Sequence, residues 1–396
     1  MRGEPRLTGG RRRRNSLGAA PALLLSTLLA AVCMLLLGST ALAGPGSSSR
    51  LCGACHGPLR SQWAGSAHAT SWTNPVFQAF LADAREKLGS EIQANCLPCH
   101  APLAHVSGDR QVFDPVAQEG VGCNFCHNVS AVDPSTKPGS YTYDPSNPNL
   151  MRGPYRDADP MGAHEAIYSE IHTQSEFCAS CHSASHPRSG LLIEGTYLSW
   201  KRWSGAEYDM TCQECHMPPA PGKAATVAKK TRPAVNAHSF VGPRSTPAWL
   251  SDAATLKGSV SAGRLRLEVE NAKAGHALPG GGNSMRTITL DVVFSNAAGA
   301  EVQRLQAERF GTEFADADGM FPVPKWIGHS VARATEIGPD SSRVVLCDVP
   351  PGASRAEAVL TYHAIHPAYR AMLVKRGVDL SGRAPIVLAR TTVVLP

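Results

Sequence analysis

The sequence predicts a two-part fold: short helices and coil with few strands over the first half of the exported chain, then an antiparallel β-sandwich of immunoglobulin-like type. Three observations predict it. The pattern Cys-x-x-Cys-His occurs five times between residues 52 and 216 and not at all after them. The segments between the occurrences are rich in turn residues, as in DPSTKPGSYTYDPSNPNLMRGP (133–154), which carries neither a helical nor a strand period. From about Thr255 the texture changes to apolar, β-branched runs separated by Gly, Asn, Asp and Pro.

Residues 1–43 read as an export signal. Arg11 to Arg14 form the basic start, Ala22 to Leu37 the apolar stretch, and Ala41-Leu42-Ala43 a small-residue cleavage site, with cleavage expected before Gly44. The apolar run is long for a signal peptide, so an uncleaved anchor is the alternative, and membrane association is expected only in that case. Either way the remainder lies outside the cytoplasm, in a periplasm or another extracytoplasmic space that includes the cell surface. Residues 44–217 hold all five motifs, on short helices joined by loops, and PVFQAFLADAREKLG (75–89) is the clearest helical stretch. Residues 218–254, opening with MPPAPGKAATVAKKTRP, read as an extended connector. Residues 255–396 supply the strands: RLRLEVEN (264–271), RTITLDVVFSN (286–296), RVVLCDV (343–349), AEAVLTYHA (356–364) and PIVLARTTVVL (385–395).

The formal charge of +6 resides mainly in the signal, which holds six arginines and one glutamate and whose removal leaves 32 basic against 31 acidic side chains. That balance gives nucleic-acid binding no support.

The five motifs are Cys52/Cys55/His56, Cys96/Cys99/His100, Cys123/Cys126/His127, Cys178/Cys181/His182 and Cys212/Cys215/His216. A zinc ribbon or a redox disulfide would not require histidine directly after the second cysteine every time. Covalent attachment of haem does, because the two thiols bond the porphyrin vinyl groups while the next imidazole reaches the iron. Five covalently bound haem c groups are therefore expected. Ten of the twelve cysteines are then assigned. Cys33 lies in the signal, and Cys347 reads as a buried strand thiol, so no structural disulfide is expected.

The sixth position of each iron decides between carrier and enzyme. On this point the stretches WAGSAHA (63–69), EGVGCNFCH (119–127), GAHEAIYSEIHTQSEFCASCH (162–182), SHPRSGLLIEGTYLSWKRWSGAEYDMTCQECHMP (185–218), AHSF (237–240) and GHALPGG (275–281) are informative. Together they resemble a family of exported multihaem c-type cytochromes, related to the tetrahaem electron carrier of hydroxylamine oxidation and often ending in a β-sandwich. The resemblance implies His68, His164, His186, His238 and His276 as distal ligands, with His105 and His172 in reserve. His186, only four residues beyond His182, would have to serve a neighbouring haem.

Trp63, Tyr197, Trp200 and Trp203 are expected to pack against porphyrin, and His329, His363 and His366 to be structural or exposed. The function expected is single-electron transfer along a chain of bis-histidine haems between redox partner proteins, with no catalytic residue. The alternative is a multihaem reductase or oxidase of small nitrogen or sulfur compounds with one five-coordinate haem. Such enzymes often carry lysine in place of the motif histidine, and this chain has no Cys-x-x-Cys-Lys.

Overall fold

The Cys-x-x-Cys-His motifs lie on short helical turns. The amide of His56 returns to the carbonyl of Cys52 (2.9 Å) and that of His100 to Cys96 (3.0 Å), closing one α-turn each. Positions i, i+3 and i+4 of such a turn share a face, so both sulfurs and the imidazole project the same way. The later motifs lie within Cys123–Asn128, Glu176–His182 and Cys212–His216. The last of these is fixed by a reciprocal cap between Thr211 and Glu214.

The computed structural model describes residues 47–147, 149–203, 210–243, 250–251 and 253–396. The expected export signal, with Cys33, lies outside them, as does the side chain of Trp203. Among the described residues no helix is long and apolar enough to cross a membrane.

Helix α1 (Pro75–Leu88) has Pro75 in its first turn, and Asn74 Oδ1 accepts from Val76 N (3.0 Å) at its start. Phe80, Leu81 and Ala84 line its buried face. Four two-stranded ribbons follow along the chain. β1 (Val129–Val132) pairs antiparallel with β2 (Tyr141–Tyr143), and β3 (Leu150–Gly153) pairs parallel with β4 (Glu165–Tyr168). β5 (Ala184–Ser185) pairs with β6 (Leu192–Glu194), followed by helix α2 (Thr196–Trp203), and β7 (Pro219–Gly222) pairs with β8 (Arg232–Asn236). Residues 133–154, which show neither period, thus contribute β2 and β3, strands too short for alternation to register. The stretch expected as an extended connector contains the β7–β8 ribbon.

Seven longer strands form two antiparallel sheets. β9 (Ala254–Ser261), β10 (Arg264–Asn271) and β15 (Ser342–Asp348) stand in the order β15-β10-β9. β11 (Thr287–Ser295), β12 (Glu301–Phe310), β16 (Arg355–His363) and β17 (Ile386–Val394) stand in the order β12-β11-β16-β17. β13 (Thr312–Ala315) and β14 (Ser330–Ala334) make a separate pair. Alternate residues of β10 (Leu265, Leu267, Val269), β11 (Ile288, Leu290, Val292, Phe294) and β16 (Ala356, Ala358, Leu360, Tyr362) point into one shared core. Register puts Phe294 opposite Ala356 and Val292 opposite Ala358, so at that end of the pair apolar side chains of β11 lie against small ones of β16. Cys347 is buried in this core, the place expected for a strand thiol.

The sheets and the motif-bearing segment belong to one compact unit, Ala43–Pro396. Helix α3 (Pro367–Lys375) packs Tyr369 and Leu373 against Ala79 and Phe80 of α1, while Arg376 ion-pairs with Asp83 and Glu86. A second joint is backbone to backbone: Gly195 N donates to Gly281 O (2.6 Å), and a Cβ at Gly281 would stand 2.6 Å from Gly195 O. Only a residue without a side chain allows that approach.

Candidate haem-binding sites

Two imidazoles bound through Nε2 on opposite sides of one metal place their ring centres about 6 Å apart, since each metal–nitrogen bond is about 2 Å and the ring centre lies about 1 Å beyond. Four motif histidines face a second histidine at that spacing. His56 faces His164 (6.4 Å), His182 faces His68 (6.4 Å), His127 faces His238 (6.4 Å) and His216 faces His276 (6.4 Å). His127 and His238 are inclined by 17°, and His216 and His276 by 12°.

The backbone turns the rings. A carbonyl can only accept, so each Nδ1 lying against one carries the proton and leaves the Nε2 lone pair free for a metal. This holds for His56 with Ala224 O (2.7 Å), His127 with Arg152 O (2.6 Å) and His216 with Val241 O (2.5 Å). It also holds for His164 with Glu165 O (2.8 Å), His238 with Asn236 O (3.0 Å) and His276 with Ala277 O (3.0 Å). Burial pushes His238 down to about 4 and lowers His127, His182 and His276, which keeps these imidazoles neutral at neutral pH.

The reserve histidines are placed differently. His172 stacks on His127 (5.8 Å, 16°), but its Nε2 donates to Cys126 O (3.0 Å) and its Nδ1 is buried with no hydrogen-bond partner. His105 stands edge-on to Tyr141 (6.3 Å). His186 uses both ring nitrogens: Nε2 donates to Trp326 O (3.2 Å) and Nδ1 accepts from Ser189 N (3.2 Å). His100 anchors its Nδ1 on Ser71 O (3.0 Å), yet the ring against it is Phe77, stacked at 3.9 Å. The described residues bring no second imidazole to face His100. His366 is fully buried against Glu313 (3.1 Å) and caps α3, while His363 bonds Thr289 Oγ1 (3.1 Å) and His329 is exposed.

The motifs also meet one another. The thiols of neighbouring motifs lie close enough to shift one another: Cys52 and Cys123, Cys99 and Cys181, and Cys178 and Cys212. Burial pushes the Cys96 thiol up to about 11 and the Cys126 thiol up to about 12, and none of the ten motif cysteines is in a disulfide. Among the described residues no group of three or more His, Cys, Asp or Glu side chains is arranged to hold a metal ion by itself. What the chain provides is pairs of imidazoles with a pair of thiols beside each.

This donor set fits haem c. One further observation agrees: Arg60 Nε is buried with no hydrogen-bond partner, a cation suited to a porphyrin propionate. Of the aromatic residues expected at porphyrin, Trp63 is buried and donates to Val121 O (2.8 Å), Tyr197 donates to Glu176 (2.9 Å) and Trp200 to Met210 O (3.0 Å). Sequence reasoning missed Phe77, whose apolar place in α1 looks like any other core position.

Residues 51–128, which contain the first three motifs, match the family described as Cytochrome c554 and c-prime. No curated protein matches the chain. Among solved structures it is similar to a penta-heme cytochrome c552 from Thermochromatium tepidum, with 22% identity, 87% of this chain and 98% of that chain covered, and a TM-score of 0.66. The fold is thus that of a multihaem cytochrome, and the family match over the first three motifs supports a c-type cytochrome with covalently bound haem.

Proposed function

We propose that this chain is a pentahaem c-type cytochrome that passes single electrons along closely spaced haems between extracytoplasmic redox partners. Five haem c groups are held by Cys52 and Cys55, Cys96 and Cys99, Cys123 and Cys126, Cys178 and Cys181, and Cys212 and Cys215. His56, His100, His127, His182 and His216 are the proximal ligands. The observation that carries this reading is the set of four facing imidazole pairs, which supports His164, His238, His68 and His276 as the distal ligands of the haems at His56, His127, His182 and His216. Haem supplies a one-electron couple, and two imidazoles per iron leave no position for a substrate, at potentials below those of His/Met cytochromes.

The apposed cysteines of neighbouring motifs support close spacing, because porphyrins joined to adjacent sulfurs meet at their edges. The two sheets over one core are read as an immunoglobulin-like sandwich, with the fourth strand paired to the third rather than to the fifth. Descent shared with the tetrahaem carrier of hydroxylamine oxidation, and export by a cleaved signal, belong to the same reading.

One observation favours a second reading. Among the described residues no imidazole faces His100, the arrangement that an enzyme with one five-coordinate haem would have.

Intact mass tests the haem count. The mature protein is expected to exceed its polypeptide by five haem masses, and a lower integer in fully matured protein would overturn the pentahaem reading.

A further inference from the structure

Two segments meet at the first motif, and neither carries an acidic side chain. Residues 47–82 hold Arg50 and Arg60, and residues 218–243 hold Lys223, Lys229, Lys230 and Arg232, with no Asp or Glu in either. The chain without its signal is balanced, 32 basic against 31 acidic side chains, so this positive charge is local. Hydrogen bonds join the segments. Ala224 O accepts from His56 Nδ1 (2.7 Å), and Cys55 O accepts from Thr226 N (2.8 Å) and Thr226 Oγ1 (3.0 Å). The loop between β7 and β8, with Lys223 and Lys229 on either side of these bonds in sequence, is thereby pinned to the Cys55–His56 step.

The carboxylates bonded to these segments are occupied. Glu119 accepts from Ser49 N (2.8 Å) and from Ser48 Oγ, and Asp157 ion-pairs with Arg232 (2.8 Å) and Lys230. Arg50, Lys223 and Lys229 are exposed and form no ion pair among the described residues. The same stretches expose two apolar side chains, Leu51 (39%), directly before Cys52, and Val227 (54%), directly after Thr226. Exposed apolar groups among unpaired cations suit a protein surface of opposite charge, because the charges steer the encounter and the apolar groups complete the contact. An anionic lipid surface would instead favour an amphipathic helix with larger apolar groups, whereas a ribbon loop carries Val227 and the lysines.

We propose that Leu51 and Val227, with Arg50, Lys223 and Lys229 around them, dock an acidic redox protein that exchanges one electron with the haem at Cys52, Cys55 and His56. This rests on the haem reading above. The partner is oxidised by one electron as that iron goes from ferric to ferrous, or the reverse, and no bond forms or breaks.

The test uses the full-length oxidised holoprotein and a fully reduced flavodoxin, an acidic donor, as the probe. Its anionic hydroquinone becomes the neutral semiquinone as one haem iron is reduced. Lys223→Glu/Lys229→Glu should keep its haems by mass and its dithionite-reduced spectrum. Its reduction by flavodoxin should be about tenfold slower than that of the unmodified protein at low ionic strength, with the two rates converging at about 0.5 M salt. Arg355→Glu/Lys375→Glu, the same charge change on β16 and α3, should leave the rate unchanged. Equal slowing by both double variants, or an unchanged rate in Lys223→Glu/Lys229→Glu at low ionic strength, would overturn the docking site. If the variant with the unchanged rate also lost binding to phosphatidylglycerol vesicles, the patch would be a lipid contact instead. A peptide containing Cys52 and Cys55 without haem would overturn the haem reading on which the docking rests.

Discussion

Replacing His276 by alanine is expected to turn one low-spin haem into a carbon-monoxide-binding one without loss of any haem. In the proposed reading the thioethers at that site come from Cys212 and Cys215 and the proximal imidazole from His216, whose Nδ1 stays anchored on Val241 O (2.5 Å). Only the ring parallel to it, at 6.4 Å, is removed. The segment that carried His276 remains fixed, because Ala277 N donates to Ser199 Oγ (2.7 Å) and Asn283 Nδ2 to Glu194 (2.6 Å). The reduced variant should bind about one carbon monoxide per chain, and added imidazole should restore the low-spin spectrum. A variant that stays low-spin without imidazole would show that the sheets are attached to the haem-bearing part but do not ligate there.

Truncating Phe294 should produce the largest loss of stability. Its ring is fully buried between the two sheets, opposite Ala356, which is itself too small to refill the space. Phe294→Ala is expected to lower the unfolding free energy by about 3–5 kcal/mol, the usual cost of emptying a packed aromatic site. Guanidinium denaturation followed by far-ultraviolet circular dichroism measures it, with the visible spectrum at 25 °C unchanged because the haem ligands lie outside this core. A loss below about 1 kcal/mol would mean that the side chains of the two sheets are not jointly packed.

How legible these features are in the sequence depends on the length of the element and the reach of the contact. The stretch 264–271 coincides with β10, and 286–296 brackets β11, because eight or nine residues of strict alternation carry a clear period. The 75–89 stretch brackets α1 for the same reason, with Asn74, Pro75 and Gly89 marking its ends. β12 (EVQRLQAERF) is a polar edge strand whose outer face hides the pattern, and β3 pairs with β4 over four residues. Motif cysteines and histidines are legible because one covalent group demands all three within a single turn. Facing histidines are not legible from spacing, since each comes from a distant segment; His68, His164, His238 and His276 stand out only through the resemblance of the stretches around them. His172 and His238 both lie parallel to His127. What separates them is which nitrogen the backbone occupies, Nε2 in His172 and Nδ1 in His238, a fact of three dimensions alone.

The carrier account turns on whether any iron offers an open position. The most direct measurement is the visible spectrum of the fully reduced, unmodified protein before and after carbon monoxide, and then nitrite or hydroxylamine with a suitable electron donor or acceptor. If every iron holds two axial ligands from the chain, carbon monoxide should leave the spectrum unchanged and neither nitrogen compound should be turned over. Binding of about one carbon monoxide per chain, accompanied by turnover of nitrite or hydroxylamine, would contradict the account and make the haem at His100 a catalytic site.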